Sequence, residues 1–218
     1  MRLRALAFLP GILLSAAGLG IAYMAYSAPR TVPGLIETHG VRHPVTRPME
    51  VATDAAARKP APILSLTSYD GKPVALGTPS ARPTFVYFVK EGCPCSFDAE
   101  PLFKDLSRHL GGNVDFVAVI DADAKGAKKW STEMLVPYPL VSDPKAHAMR
   151  AFGAVSSVYS ALLDREGRIV KMWPGYSRGF LREMNARMSD LAGVSERPFD
   201  TKYAPIEKAT GCAFAYKS

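Results

Sequence analysis

The sequence predicts an α/β domain built on a mixed sheet. Two uninterrupted apolar runs, PTFVYFV at 83–89 and VDFVAVID at 114–121, are typical of central strands buried on both faces. A helical pattern follows the first run, because leucines recur every four residues at 102, 106 and 110. The later stretch VYSALLDREGRIVKMW has the pattern of two strands joined by a tight turn. Such a hairpin adds antiparallel strands to strands that alternate with helices.

The remaining elements are shorter. The stretch ILSLTSYDGKPVAL is expected to form two short strands around a turn at Asp70 and Gly71. AKGAKKWSTEML and KAHAMRAFG are expected to be helices, with the short strand and turn YPLVSDP between them. A last helix ends at Gly193, because apolar side chains recur at helical spacing before it, at Leu181, Met184, Met188 and Leu191.

Composition divides the chain into four parts. Residues 1–27 are predicted to be a membrane anchor or a signal peptide, and residues 28–61 a proline-rich tether with no period. Residues 62–193 hold the predicted domain. Residues 194–218 show no period and are predicted to be an irregular tail that wraps over the domain or hangs free.

The N-terminal segment determines the expected location. MRLR precedes residues 5–27, which carry no charge, and about 20 apolar residues cross a bilayer as a helix. AYSA at 25–28 also fits a cleavage site for a signal peptide. Both an uncleaved single-pass anchor in the cell membrane and a cleaved, secreted or periplasmic form stay open. Either places the domain on the extracytoplasmic side, where disulfides persist.

Charge and motifs exclude several functions. The chain carries a net charge of +7, but residues 60–193 hold 16 basic against 14 acidic side chains. This balance is unlike a nucleic-acid-binding surface. No Ser/His/Asp set, phosphate-binding loop or zinc spacing is present, so the sequence predicts neither a cofactor nor a metal.

Two cysteines stand out in FVKEGCPCSFDAEP. Cys93 and Cys95 follow a predicted central strand and precede a helix expected over residues 97–110, where open α/β sheets place their chemistry. A free thiol has a pKa of about 8.5, which a helix N-terminus or a nearby cation lowers. Ser96 is the predicted N-cap of that helix, and Lys90 is predicted to stabilise the thiolate.

The partner of Cys93 is left open by the sequence. Residues two apart in an extended chain are about 7 Å apart, and a disulfide needs Cα atoms about 4.4–6.8 Å apart. Pro94 favours a bend that brings Cys93 and Cys95 into range, which predicts a strained, easily reduced disulfide. Cys212 is a third thiol, which resolves a mixed disulfide on Cys93 if the tail folds back, or lies buried beside Phe214.

Four segments, which together span about residues 60–192, resemble the thioredoxin-like superfamily. They are APILSLTSYDGKPVAL, PTFVYFVKEGCPCSFDAEP, YPLVSDPKAHAMRAFG and ALLDREGRIVKMWPGY. Their order and spacing are similar to the redoxin branch, which comprises alkyl hydroperoxide reductase/thiol-specific antioxidant proteins and membrane-tethered TlpA-type thioredoxins. The resemblance implies a three-layer α/β/α sandwich with a mixed central sheet.

The resemblance also assigns roles at the reactive centre. Cys93 falls on the first cysteine of the family's Cys-x-x-Cys pattern and is therefore the expected attacking thiol, while Ser96 falls on the second. The threonine that peroxidases carry three residues before the reactive cysteine is replaced by Lys90 or Gly92. The family's cis-proline position falls near Val158.

These observations lead to one expected function and two alternatives. The expected function is a membrane-tethered, extracytoplasmic thiol–disulfide oxidoreductase that acts on protein thiols or disulfides, with Cys93 attacking and Cys95 or Cys212 resolving. The first alternative is a peroxiredoxin-like peroxidase that consumes a hydroperoxide. The second is a non-enzymatic module, either a Cu(I) carrier, since thiolates suit Cu(I), or an inactive scaffold.

Overall fold

The computed structural model describes residues 43–216. The predicted anchor or signal segment, residues 1–27, lies outside them, and no helix within the described range is long and apolar enough to span a membrane. In chain order the elements are β1 (His43–Pro44), α1 (Arg47–Ala56), β2 (Leu64–Thr67), β3 (Pro73–Leu76), β4 (Thr84–Val89), α2 (Pro94–Leu110), β5 (Asp115–Ile120), α3 (Ala124–Met134), β6 (Leu140–Ser142), α4 (His147–Phe152), β7 (Ser160–Leu163), β8 (Ile169–Trp173), α5 (Arg178–Ala192) and β9 (Ala209–Thr210).

A five-stranded sheet forms the centre of the domain, in the order β6-β5-β4-β7-β8. Strands β4, β5 and β6 are parallel, while β7 pairs antiparallel with β4, and β8 with β7. The predicted mixed α/β sheet is therefore confirmed, including the late hairpin. The predicted opening hairpin is also present, as the separate two-stranded sheet of β2 and β3.

Helices cover both faces of the central sheet. Successive side chains of β4 alternate between two apolar clusters, as the period of two in a strand requires. Phe85 and Tyr87 belong to the cluster that also contains residues of α2 and α5. Val86 and Phe88 belong to the cluster that contains residues of α4. All six residues of β4 are buried, which explains its uninterrupted apolar sequence.

Helix α2 begins three residues earlier than predicted. Cys93 is its N-cap, with φ −80° and ψ 121°, and Pro94 is its first residue. A proline suits that position because its missing N–H would have no partner in the helix, and it holds the preceding residue extended. Ser96 lies inside the first turn, so the prediction that it caps the helix is wrong.

The stretch predicted as a tether, residues 28–61, contains structure in its described half. Helix α1 occupies Arg47–Ala56, and its Asp54 pairs with Lys171 of β8 at 2.6 Å. The burial of this helix is slight, since only Thr53 is fully buried. The helix is nevertheless amphipathic, so its sequence does carry an apolar period, which the sequence analysis did not recognise.

The described part of the predicted tail packs against the domain. It has little regular structure, and its one strand, β9, pairs antiparallel with β1. Phe214 is buried in the cluster around α4. This path carries Cys212 to the N-terminal end of α2.

Candidate active site

Cys93 and Cys212 lie side by side although 119 positions separate them in the chain. Their sulfur atoms are 2.8 Å apart. A disulfide bond is about 2.05 Å long, so the two residues are separate thiols here, as is Cys95. A small movement brings the sulfurs of Cys93 and Cys212 to bonding distance.

Cys93 Sγ is buried and surrounded by hydrogen-bond donors. Ser157 Oγ donates to it at 3.3 Å, and the backbone N–H of Cys212 donates at 3.2 Å. Only 2% of the Cys93 surface is exposed. Because Cys93 also caps α2, its side chain lies at the positive end of the helix dipole. These contacts favour the thiolate form.

The three thiols have different pKa values because they share hydrogen bonds. A hydrogen bond from the Cys95 thiol contributes most to lowering the pKa of Cys93 far below that of a free thiol, against the opposing effect of burial. Bonds from Cys212 and Ser157 lower it further. The same bond to Cys93, with burial, raises the pKa of Cys95. Burial, followed by the contact with Cys93, raises the pKa of Cys212. The directions of these shifts make Cys93 the most readily ionised of the three thiols.

Cys95 lies in the second position of α2 and is 4% exposed. The backbone of His43 is a further hydrogen-bond partner of its thiol. Cys95 belongs to the apolar cluster around α2. Cys212 is more exposed than Cys95. Its carbonyl accepts a hydrogen bond from the Ser157 N–H and its own N–H donates to Cys93 Sγ, and these two bonds fix its orientation.

The predicted supporting residues contact the site in other ways than expected. Lys90 Nζ lies 3.3 Å from Asp121 Oδ2, and its positive charge lowers the pKa of Cys212, opposing burial. Lys90 is not among the groups that contribute most to the pKa of Cys93. Ser96 Oγ accepts a hydrogen bond from the Lys90 backbone N–H at 3.2 Å, which ties the end of β4 to the first turn of α2.

Ser157 is a site residue that the sequence analysis missed, and Val158, beside it, was located only as the family's cis-proline position. Val158 has φ 65°, a conformation that is strained for a β-branched residue. Its N–H donates to the Phe88 carbonyl at 2.7 Å, and Phe88 N–H donates to the Tyr159 carbonyl. These bonds hold the turn that places Ser157 against Cys93. The only sequence signal was position, because this turn lies where the resemblance places the family's cis-proline.

A second buried acid lies further along α2. Glu100 is 0% exposed and accepts hydrogen bonds from the Tyr87 hydroxyl at 2.5 Å and the Tyr138 hydroxyl at 2.9 Å. The two hydroxyl oxygens are 2.9 Å apart. Burial raises the pKa of Glu100 despite these two donors. The cluster links α2 to β4 and to the loop before β6.

Within residues 43–216, no three or more His, Cys, Asp or Glu side chains are arranged to hold a metal ion. The cysteine cluster is instead compact, with two sulfurs nearly in bonding contact. Its arrangement suits exchange between thiols and a disulfide.

Comparison with protein families identifies the class of the chain. The model of the AhpC/TSA family matches residues 57–172, which is more than half of the 218 residues. The chain belongs to this family, as its resemblance to the redoxin branch predicted. The comparison with curated proteins found no match.

Solved structures share the fold. A candidate thiol:disulfide interchange protein DsbE from Chlorobium tepidum is 20% identical, with a TM-score of 0.58, covering 63% of this chain and 98% of its own. Peroxiredoxin Q from Xanthomonas campestris is 20% identical, with a TM-score of 0.53, covering 62% and 99%. The bacterioferritin comigratory protein of the same organism is 23% identical, with a TM-score of 0.51, covering 59% and 92%.

These similarities establish the thioredoxin-like α/β fold with a mixed sheet. At such identities the neighbours show the fold alone. The AhpC/TSA family assignment supports an oxidoreductase role, and the neighbours include a candidate thiol:disulfide interchange protein and a peroxiredoxin. The choice between those two activities depends on the geometry of this chain's own site.

Proposed function

We propose that the protein is a thiol–disulfide oxidoreductase in which Cys93 attacks and Cys212 resolves. The supporting observation is the 2.8 Å separation of their sulfurs, with a hydrogen bond from the Cys212 N–H to Cys93 Sγ. The low pKa of Cys93 supplies a nucleophile at neutral pH, and the raised pKa of Cys212 favours the protonated form of the second thiol until it resolves the mixed disulfide.

The reaction balances without a cofactor. The Cys93 thiolate attacks one sulfur of a substrate disulfide and expels the other as a thiolate, which takes up a proton. Cys212 then loses its proton, attacks Cys93 Sγ and releases the second substrate sulfur. The substrate gains two electrons and two protons, and the protein becomes the Cys93–Cys212 disulfide.

The difference between the two sulfurs also sets the route of regeneration. Among the free thiols Cys212 is partly exposed and Cys93 is buried, and we expect the same difference in the disulfide. An external thiolate therefore attacks Cys212, and Cys93 leaves, since a thiol of low pKa is the better leaving group. A second external thiolate then attacks the sulfur of the first external thiol in the mixed disulfide and frees Cys212.

Single-cysteine variants test this assignment. Cys93→Ser should abolish reduction of insulin disulfides. Cys212→Ser should stop after one event, as a mixed disulfide on Cys93 that mass spectrometry of the intact protein detects. Cys95→Ser should continue to turn over. If Cys95→Ser stalls as the mixed disulfide and Cys212→Ser turns over, the resolving residue is Cys95 and the assignment fails.

Hydroperoxide reduction is a second candidate, which the AhpC/TSA family assignment favours. The Cys93 thiolate would attack a hydroperoxide ROOH to give a sulfenic acid and, after protonation, ROH. Cys212 would then displace water to form the same disulfide. Trapping of a sulfenic acid on Cys93 in Cys212→Ser, at a rate far above that of a free thiol, would support this activity. Absence of that adduct would leave disulfide exchange.

We also propose that residues 5–27 tether the domain to the cell membrane on its extracytoplasmic side. The support is the charge-free length of this segment after MRLR, together with the use of a cysteine pair that works in an oxidising compartment. Intact mass and membrane fractionation of the expressed full chain decide between anchor and cleaved signal. Recovery of an uncleaved chain in the cytoplasmic fraction would contradict both.

A further inference from the structure

Residues 209–216, here called the strap, lie across the active site. At one end the strap pairs with Tyr176, whose N–H donates to the Ala209 carbonyl at 2.8 Å, while the Ala209 N–H donates back at 3.0 Å. On its other edge β9 pairs with β1, and both strands are two residues long. The strap is thus held between two edges outside the central sheet.

The middle of the strap docks on Ser157. The Ser157 N–H donates to the Cys212 carbonyl at 3.0 Å, and the Gly211 N–H donates to the Ser157 carbonyl at 3.0 Å. A Cβ on Gly211 would lie 1.9 Å from Ser157 Oγ and 2.9 Å from Ser157 O. Only glycine therefore fits before Cys212 when the strap is docked.

Two aromatic residues hold the end of the strap. Phe214 is 6% exposed, and its N–H donates to the Val155 carbonyl at 3.1 Å. The Tyr216 hydroxyl donates to the Ala154 carbonyl. These contacts are to the loop before β7, which also carries Ser157.

We propose that the strap gates the active site. It must leave Ser157 before an external disulfide or hydroperoxide reaches Cys93, and it must return to deliver Cys212. This inference rests on the proposed function in taking Cys93 as the attacking thiol. Its basis is burial, because Cys93 is 2% exposed, and two of the groups that contact its sulfur, the Cys212 thiol and the Cys212 N–H, belong to the strap.

The open form keeps what attack requires. Ser157 Oγ and the N-terminal end of α2 remain beside Cys93 when the strap leaves, since neither belongs to it. The thiolate therefore stays favoured. Opening breaks the two-residue pairing of β9 with β1 and the hydrogen bonds of the strap to Tyr176 and to the loop before β7, but no strand of the central sheet moves.

Alkylation of the reduced full chain by iodoacetamide tests the gate. The rate at Cys93, read from its peptide by mass spectrometry, should rise by at least about tenfold in Gly211→Ala, because overpacking strain shifts an equilibrium by that factor or more. Phe214→Ala should also raise it, by removing an anchor without adding a clash. Gly179→Ala is the matched control, since the nearest atom to its Cβ is 3.8 Å away, and it should leave the rate at the wild-type value.

Equal rates in the wild type and in folded Gly211→Ala and Phe214→Ala would overturn the gate. Circular dichroism establishes that each variant is folded. Hydrogen exchange of the wild type gives a measurement without mutation: the N–H groups of Gly211 and Cys212 should exchange faster than those of β4, and equal protection would contradict the proposal. No turnover is measured, so failure of the proposed reaction is seen separately, in the cysteine variants.

Discussion

Two buried acids on helix α2 differ in the direction of their pKa. Cys93 caps the helix and has a lowered pKa, whereas Glu100, two turns further along, has a raised one. Burial opposes the charged form of both. At Cys93 the donors Cys95, Cys212 and Ser157 outweigh it, and the helix N-terminus adds to them. At Glu100 the hydrogen bonds from its side-chain donors do not outweigh burial.

This comparison shows that burial alone does not set the charge of a group. The strength of the hydrogen bonds and the position at the N-terminal end of a helix decide whether burial yields a reactive anion or a neutral structural group. The N-terminal turn of α2 is therefore the reactive part of the helix. Its middle serves to connect α2 to β4.

Removal of the Cys95 donor should have the largest effect. Cys95→Ala should raise the pKa of Cys93 by about one to two units, because a hydrogen bond to a charged group contributes about 1.5–3 kcal/mol. Cys95→Ser should raise it less, since its hydroxyl still donates. The ultraviolet absorbance of the thiolate, followed with pH, measures this. A Cys93 pKa unchanged in Cys95→Ala would show that helix position and the other donors suffice.

Ser157→Ala should have a smaller effect on the same pKa. We expect a rise of about one unit, because the Ser157 hydroxyl contributes less to lowering this pKa than the Cys95 and Cys212 donors do. The control is Ser160→Ala, which removes a buried hydroxyl that has no hydrogen-bond partner among the described residues. If both variants shift the pKa alike, Ser157 does not act through its hydroxyl.

Glu100→Gln should alter the pH dependence of stability. The pKa of Glu100 is raised in the folded protein, so its contribution is full below the unfolded pKa, about 4.3, and is lost as pH rises through the folded value. The wild type should therefore lose more stability than the variant over that range. Denaturant unfolding at acidic and neutral pH measures the difference. Glu133→Gln, on the exposed side of α3, is the control and should follow the wild type.

The smallest expected effect is that of Lys90→Met. Its charge lowers the pKa of Cys212, so the variant should raise that pKa by less than about one unit, since solvent screens charges near the surface. The alkylation rate of Cys212 as a function of pH measures it. Lys128→Met, which removes an exposed charge on α3, should leave the profile in place. An equal shift in both variants would indicate a general charge effect.

Prediction from sequence succeeded where the pattern is local. The apolar run of β4 and the leucine period of α2 locate the central strand and the helix. A strand that is buried on both faces has an uninterrupted apolar sequence, whereas a helix that is buried on one face has apolar residues every three or four positions. It failed for α1, an amphipathic helix in a proline-rich stretch that was predicted to be a tether, and for the N-cap, where Pro94 overrides Ser96.

The sequence by itself determined the α/β order, the placement of Cys93 at the end of β4 and the identity of three thiols that differ only in position. The sequence left open which of the other two thiols, Cys95 or Cys212, is the partner of Cys93. The tertiary structure decided that Cys212 and Ser157 contact Cys93. The contacts of the strap position Cys212 and those of the turn before β7 position Ser157, and neither set of contacts produces a period in the sequence. Such contacts join residues far apart in the chain, so their distances depend on how the whole domain packs.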